Sequence, residues 1–342
     1  MKTILITGGV GFIGSHFVKY IFDRYANYQI IVLDALTYAG NMDNIPENIK
    51  NDSRFSFWYG DVRSGELVNE LVGKVDTVVH FAAMTHVSRS IYDNAVFFDV
   101  DVMGTQVVSN AVLKHMDTID RFIHISTSEV YGTALRIPMD EEHPLNPTTP
   151  YASAKVGADR LVYSYWKTYG IPAIIIRPYN QYGFSQHLEK VIPRFITSAL
   201  LNEPLTIHGS GGYTRDWVYV EDLCQALDRV IHADIDKVKG QAINIGTGRD
   251  ISVREIADII LDEMGKPKEL ITHVSDRPGQ VDRHVASTEK ALRLLNWKAE
   301  TAFEEGIVKT IEWYTQNKDW WKGLLWMRQV PTKNRDGRIE YH

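Results

Sequence analysis

A single cysteine, Cys224, occurs in the 342 residues. One thiol allows no intrachain disulfide and no cysteine cluster for a structural zinc, and it suits a reducing compartment, so a cytoplasmic chain is expected. The histidines give no metal-binding spacing either. His80, His86, His124 and His187 form no H-x-x-x-H pattern, so each is expected to pack or hydrogen-bond, and no metal site is expected. No apolar run reaches the roughly 18 residues of a membrane span, so none is expected. The opening MKTILITGG runs from a short apolar stretch into glycines, which reads as a strand and not a signal peptide. Positive charge is not in excess, with 37 Lys and Arg against 43 Asp and Glu and a net charge of −6. That balance argues against a broad nucleic-acid-binding face. It leaves room for a phosphate-bearing small molecule, which needs only a few local cations.

What is present is an ordinary globular composition, 44% hydrophobic and 23% charged, enough to bury a large core without staples. Short β-rich runs alternate with helix-length segments: Ile4–Ile6, a helix over Ile13–Tyr25, then Ile30–Leu33, Phe55–Trp58, Thr77–His80, Phe122–Ile125 and Ala173–Ile176. The strands are apolar without alternation, as when helices cover both faces of a parallel sheet. After about Asn180 glycine and proline become frequent and short strands such as Leu205–Ile207 and Ala242–Ile245 mix with helices. The expectation is an α/β chain. Residues 1–180 form a Rossmann-type doubly wound parallel sheet, with later segments returning to it. Residues 181–330 form a smaller C-terminal α/β substrate-binding lobe, and 331–342 a polar tail. Trp313, Trp320, Trp321 and Trp326 are expected to be packing and surface aromatics before sugar platforms.

Residues Thr7–Gly14 read TGGVGFIG, and Gly8, Gly11 and Gly14 follow a strand and open a helix. In that context Gly8 permits the tight turn, Gly11 the approach of backbone N–H groups to a pyrophosphate, and Gly14 close helix–sheet packing. Asp34 closes the next strand 20 residues after Gly14. A carboxylate there accepts hydrogen bonds from a ribose diol and repels a 2′-phosphate, which favours NAD over NADP. Asp61 and Val62, after a further strand, are placed to hold the adenine edge.

Tyr151 and Lys155 form a YxxxK pair, and Pro150 suits a first helical turn. At i and i+4 the two side chains share a helix face. An ammonium beside a phenol favours phenolate, which can take a proton from a sugar hydroxyl as its carbon loses hydride. Ser126, Thr127, Ser128 and Glu129 follow the strand ending at Ile125, where strand ends meet a ligand crevice. Lys190, Arg215, Arg277 and Arg283 are candidate cations for a nucleotide diphosphate.

From these motifs the chain is identified as a member of the extended short-chain dehydrogenase/reductase family, in its NAD-dependent epimerase/dehydratase branch. It most resembles the dTDP-glucose 4,6-dehydratases. The resemblance runs from Met1 to about Asn317. It rests on TGGVGFIGS, LDALTYAGN, HFAAMTHVSRSI, ISTSEVYG, PYASAK, EKVIP, RDWVYVEDL, NIGTG and DRPGQ, in that order. It implies a tightly held NAD along Gly8, Gly11, Phe12, Ile13, Gly14, Asp34, Leu36, Thr37, Asp61, Val62, Phe81, Ala82, Ala83, Val100, Ser126, Tyr151, Lys155 and Gln181. It implies a nucleotide sugar held by Thr85, Thr127, Asn180, Lys190, Val191, Thr206, Ile207, His208, Arg215, Asn244 and Arg277. Tyr151 would oxidise C4 by taking the hydroxyl proton, Thr127 would bind the C4 oxygen, and Glu129 would remove the C5 proton before water leaves C6.

Three positions depart from the dTDP-glucose pattern. Ser128 stands where those enzymes carry the Asp that protonates the leaving hydroxyl, Asp101 where Asn is common, and Gln181 where a second Asn is usual. The TSE triplet is similar to GDP-mannose 4,6-dehydratases, where one Glu serves both proton transfers, and to UDP-glucuronate decarboxylases. A decarboxylase or 4-epimerase of the same branch therefore stays open, as does a non-catalytic NAD-binding sensor or scaffold. Family members pair as homodimers through two helices per subunit, here expected at Ala95–His115 and Tyr151–Tyr169.

Overall fold

A computed structural model describes residues 2–276, 279–333 and 337–341. Its strands are β1 (Lys2–Thr7), β2 (Tyr28–Asp34), β3 (Phe55–Tyr59), β4 (Thr77–His80), β5 (Arg121–Ile125), β6 (Ala173–Pro178), β7 (Asn180–Tyr182), β8 (Leu205–His208), β9 (Thr214–Tyr219), β10 (Ala242–Ile245), β11 (Asp250–Ser252), β12 (Ile271–Val274), β13 (Pro331–Lys333) and β14 (Ile339–Tyr341). Seven of them make one sheet in the order β10-β6-β5-β4-β1-β2-β3, and every pairing in it is parallel. Strand order runs outward in both directions from the β1–β4 junction, where Thr7 stands opposite His80. At such a switch point consecutive connections leave on opposite faces and a crevice opens beyond the strand ends. This is the Rossmann-type doubly wound sheet expected from the sequence.

The non-alternating strands are explained by burial on both faces. Ile4 and Ile6 point into one core with Phe17 and Ile21 of helix Phe12–Arg24 and Leu223 and Leu227 of helix Val220–His232. Leu5, between them, points into the opposite core with Leu71 of helix Gly65–Val72, Val112 of helix Thr105–Lys114 and Val162 of helix Pro150–Tyr169. The pleat sends successive side chains to opposite faces, so an apolar residue is needed at every step.

A separate core lies under the short sheets β11-β9-β7 and β12-β8. It is filled by Phe195, Ile256, Ile260, Ile307 and Tyr314. Trp321 is buried in it, Trp313 and Trp320 pack on it, and Trp326 is exposed. The strand at 242–245 belongs to neither short sheet. It forms the edge of the large sheet, with Ala242 opposite Ile175, and helix Val220–His232 returns to that sheet as well.

Contrary to the expectation from the sequence, residues Ala95–Lys114 form one continuous helical stretch long and apolar enough by composition to cross a membrane. Its Val108 and Val112 are fully buried against the sheet, the position of a core helix. Near the C-terminus β13 pairs antiparallel with β14 and packs on helix Val87–Tyr92.

Candidate active site

The β1–β4 crevice opens into a cavity of about 500 Å³. Its floor is the glycine loop. Gly8 has φ +69°, and a Cβ there would lie 2.7 Å from Ala82 N. A Cβ on Gly14 would lie 2.3 Å from Gly8 O, so the helix can approach the strand this closely only without a side chain. Gly11 caps helix Phe12–Arg24 with no side-chain hydrogen bond, which leaves the first-turn N–H groups free for an anion. At the end of β2, Asp34 Oδ1 accepts the Leu36 N–H at 2.9 Å and Oδ2 the Val10 N–H at 3.2 Å. Burial pushes this carboxyl above its ordinary pKa, and the two N–H groups oppose the shift. A loop with no room for a Cβ at Gly8 or Gly14, a helix start without a side-chain cap and a buried carboxylate together fit a dinucleotide with a free ribose diol.

Of the residues expected to hold NAD, Gly8, Gly11, Phe12, Ile13, Gly14, Asp34, Thr37, Asp61, Val62, Phe81, Ala82, Ala83, Val100, Ser126, Tyr151, Lys155 and Gln181 line this cavity. Leu36 does not. It sits at φ +47° and gives its N–H to Asp34 while its side chain faces solvent. Asp61 is engaged by Arg63, whose Nε and Nη2 donate at 3.0 and 2.7 Å and hold the carboxyl below its usual range.

Helix Pro150–Tyr169 starts with Thr149 Oγ1 accepting the Ala152 N–H and with Pro150 in its first turn. That start aims Tyr151 and Lys155 at the ends of β4 and β5. Tyr151 is enclosed. Burial raises its phenol pKa, the charge of Asp101 raises it further, and hydrogen bonds with Thr127 and Thr85 pull it down. Lys155 Nζ donates to Ile125 O at 2.7 Å. Burial lowers the pKa of its ammonium, and Asp101 and Asp159 oppose that.

Beyond β5, Thr127 caps a 3₁₀ turn over Ser128–Tyr131, with Oγ1 accepting the Glu129 N–H at 3.2 Å. The turn sends consecutive side chains in different directions. Glu129 lines the cavity, with Oε1 3.8 Å from Arg215 Nε. Ser128 does not reach it. Ser128 is buried, and its hydroxyl lies 3.4 Å from His284 Nδ1, whose Nε2–H donates to Gly132 O.

Toward the second core, Thr85, Asn180, Lys190, Val191, Thr206, His208 and Arg215 line the same cavity. Lys190 Nζ donates to Thr85 Oγ1 at 3.2 Å. Two expected sugar-nucleotide residues are elsewhere. Ile207 points into the second core, opposite to its neighbours Thr206 and His208 on β8. Asn244 is fully buried, accepting from the Tyr131 hydroxyl at 2.7 Å and donating to Met139 O at 3.1 Å. Arg283 turns away to pair with Asp250 at 2.7 Å. Arg277 lies outside the described residues. Arg194, not among the residues expected from the sequence, lines the cavity one helical turn beyond Lys190 and donates to Arg328 O at 2.8 Å. Burial and the charge of Arg328 lower its pKa to about 10. The i, i+4 spacing from Lys190 was the available signal. Among the described residues no group of three or more His, Cys, Asp or Glu is arranged to hold a metal.

Comparison with known proteins agrees with this geometry. The family described as GDP-mannose 4,6 dehydratase matches residues 5–310. The low-salt glycan biosynthesis protein Agl12 of Haloferax volcanii is 42% identical over 91% of this chain and 98% of its own. The dTDP-glucose 4,6-dehydratase of Streptomyces niveus is 38% identical over 94% and 95%. Among solved structures, the dTDP-glucose 4,6-dehydratase DesIV of Streptomyces venezuelae, with NAD and TYD bound, superposes with a TM-score of 0.89. It is 37% identical and covers 94% of this chain and 99% of DesIV. By sequence match and by fold, the chain belongs to the GDP-mannose 4,6-dehydratase family, within the NAD-dependent epimerase/dehydratases.

Proposed function

We propose that this protein is an NAD-dependent nucleotide-sugar 4,6-dehydratase in which one carboxyl, Glu129, runs the elimination. The observation that carries this reading is Glu129 itself, a carboxylate on the wall of the cavity that also holds Tyr151, Lys155 and Thr127. The residues Gly8 to Gly14 and Asp34 would hold NAD, which supplies a hydride acceptor at sugar C4 and a hydride donor at C6.

Thr127 and Tyr151 bind the C4 hydroxyl, and Tyr151 takes its proton as C4 becomes a ketone. Lys155 keeps positive charge near the phenol and favours its ionised form. The ketone acidifies the neighbouring C5–H, and Glu129 removes that proton. The same carboxyl, now protonated, gives its proton to the C6 hydroxyl, which leaves as water. With Ser128 turned toward His284, no second acid is needed for the elimination: the proton that leaves C5 reaches the leaving oxygen, and Glu129, protonated again from solvent, returns a proton to C5 in the 6-deoxy product. Lys190, Arg194 and Arg215, which line the same cavity, would hold the diphosphate.

The same proposal includes a homodimer and a cytosolic setting. The helical stretch Ala95–Lys114 presents Phe98 and Met103 to solvent, and helix Pro150–Tyr169 presents Tyr163 and Tyr169. Such exposed apolar residues suit a helix–helix interface. Sedimentation at micromolar concentration should give a dimer, and a monomer would remove that part.

The activity is tested by incubating the protein in heavy water with dTDP-, UDP-, GDP- and CDP-hexoses and UDP-glucuronate, followed by NMR. The expected product is a 4-keto-6-deoxy sugar carrying deuterium at C5. A C4 epimer or a pentose would sink the dehydratase reading in favour of an epimerase or decarboxylase, and tight NAD binding without turnover would point to a sensor.

A further inference from the structure

Asp101 is a carboxylate that the reaction above does not use, yet it is buried beside the residues that do. It sits in Phe98–Gly104, where the helix widens to a π-helical turn packed on helix Pro150–Tyr169. Such turns recur where a helix is bent to aim a functional side chain. Asp101 is 1% exposed. Oδ1 accepts the Met84 N–H at 2.6 Å, while Oδ2, equally buried, has no hydrogen-bond partner. A buried oxygen left unpaired is costly unless a charge compensates it.

The surrounding groups identify that charge. Helix Pro150–Tyr169 brings Tyr151 and Lys155, both within electrostatic reach of Asp101. It also brings Asp159, but that carboxylate is committed to Arg177 at 2.9 Å and Arg160 at 2.6 Å. From β4 comes His80, whose Nε2–H donates to Thr105 Oγ1 while Thr105 donates to Asp101 O. From β5 comes His124. Burial holds His80 at about 3 and His124 well below its ordinary range, so both rings are neutral. The loop after β4 adds Thr85 and His86 to the cavity wall, and on the outer side Asp99 faces Arg63. Among these groups Lys155 is the cation that Asp101 opposes, and it does so without a contact ion pair.

We propose that Asp101 is a positioning residue of the Tyr151–Lys155 pair: its buried carboxylate offsets the Lys155 charge and sets the pH range in which Tyr151 exchanges the sugar proton. The inference deepens the dehydratase reading and rests on it for the role of Tyr151. Burial raises the Asp101 carboxyl to about 7 while Lys155 pulls it down, so the offset switches on across neutrality. An ionised Asp101 makes the phenol harder to ionise and the ammonium harder to lose. Removing that charge lowers both pKa values.

The test is Asp101→Asn, which keeps shape and an acceptor for the Met84 N–H. The part of the kcat profile above neutrality, where Asp101 is ionised, should move toward acid by about one unit, with the NAD dissociation constant unchanged. A profile reduced in height but unmoved overturns the proposal, because a merely structural role would lower activity without shifting the limbs. A second measurement needs no substrate. The infrared band of a protonated carboxyl in the wild-type protein should grow as pH falls through neutrality and be missing in Asp101→Asn. Its midpoint should rise in Lys155→Met. Superimposable wild-type and Asp101→Asn spectra, or a midpoint indifferent to Lys155→Met, also overturn it. A protein that dehydrates no nucleotide sugar refutes the reading of the site, while the infrared band still decides the inference.

Discussion

Replacing Glu129 with Gln separates the two halves of the chemistry, because it removes a charge and a proton acceptor while keeping volume. Loss of a positioned general base costs about 10²–10⁴ in rate. At ~1.4 kcal/mol per decade that is about 3–5 kcal/mol on the elimination barrier. Oxidation at C4 depends on Tyr151 and Lys155 and should survive. The substitution also strips Arg215 of the carboxylate 3.8 Å from its Nε. Removing one member of a fully buried pair costs about 3–5 kcal/mol. Here the separation is long and both groups border the cavity, so a stability loss on the order of 1–3 kcal/mol is expected. Rates must therefore be normalised to folded protein, read from a urea midpoint. The assay follows deuterium entry at C5 and formation of the 6-deoxy product by NMR, with the active nucleotide sugar from the panel. Both should fall together by at least a hundredfold. Deuterium entry at the wild-type rate in Glu129→Gln would refute the assignment of the base, whatever happens to the final product.

Further substitutions probe the frame around that base. Gly14→Ala places a methyl 2.3 Å from Gly8 O, and backbone cannot swing aside. Stability should drop by about 1–3 kcal/mol and NAD affinity with it, and calorimetry giving wild-type values for both would contradict the cradle. Asp159→Asn leaves Arg177, 2% exposed, without its counter-charge, and should lower unfolding free energy by about 3–5 kcal/mol, with an unchanged denaturation midpoint as the contrary result. Burial lowers His16 from 6.5 to about 4, so the folded chain refuses a proton that the unfolded chain accepts. Its contribution is complete above pH 6.5 and is lost as pH falls toward about 4. Asp101 pulls the other way over part of that range, so the measurement is the difference between wild type and His16→Gln. The variant should lose less stability on acidification, and parallel curves would refute the assignment.

The parts of this protein that were legible in its sequence are those whose signal is local. A glycine loop after a strand, a carboxylate at the next strand end and two side chains one helical turn apart are fixed by backbone geometry over a few residues, and all of them line one cavity. The apolar strands were equally readable, since burial on both faces removes alternation. What could not be read depends on partners far away in the chain. Asn244 carries a motif that resembles a binding sequence, yet Tyr131 and Met139, 113 and 105 residues distant, consume its side chain. Strand β10 could not be assigned to the large sheet until its neighbour β6 was known. Ser128 and Glu129 make the point most sharply. They are consecutive and both polar, and sequence placed both at the catalytic centre. The 3₁₀ turn capped by Thr127 aims Glu129 into the cavity and Ser128 at His284, 156 residues away. The serine is thus held in a buried contact with a histidine that no local pattern announces. Of these two neighbours in sequence it is Glu129 whose carboxylate borders the cavity together with Tyr151 and Lys155, which is why the dehydratase reading rests on it.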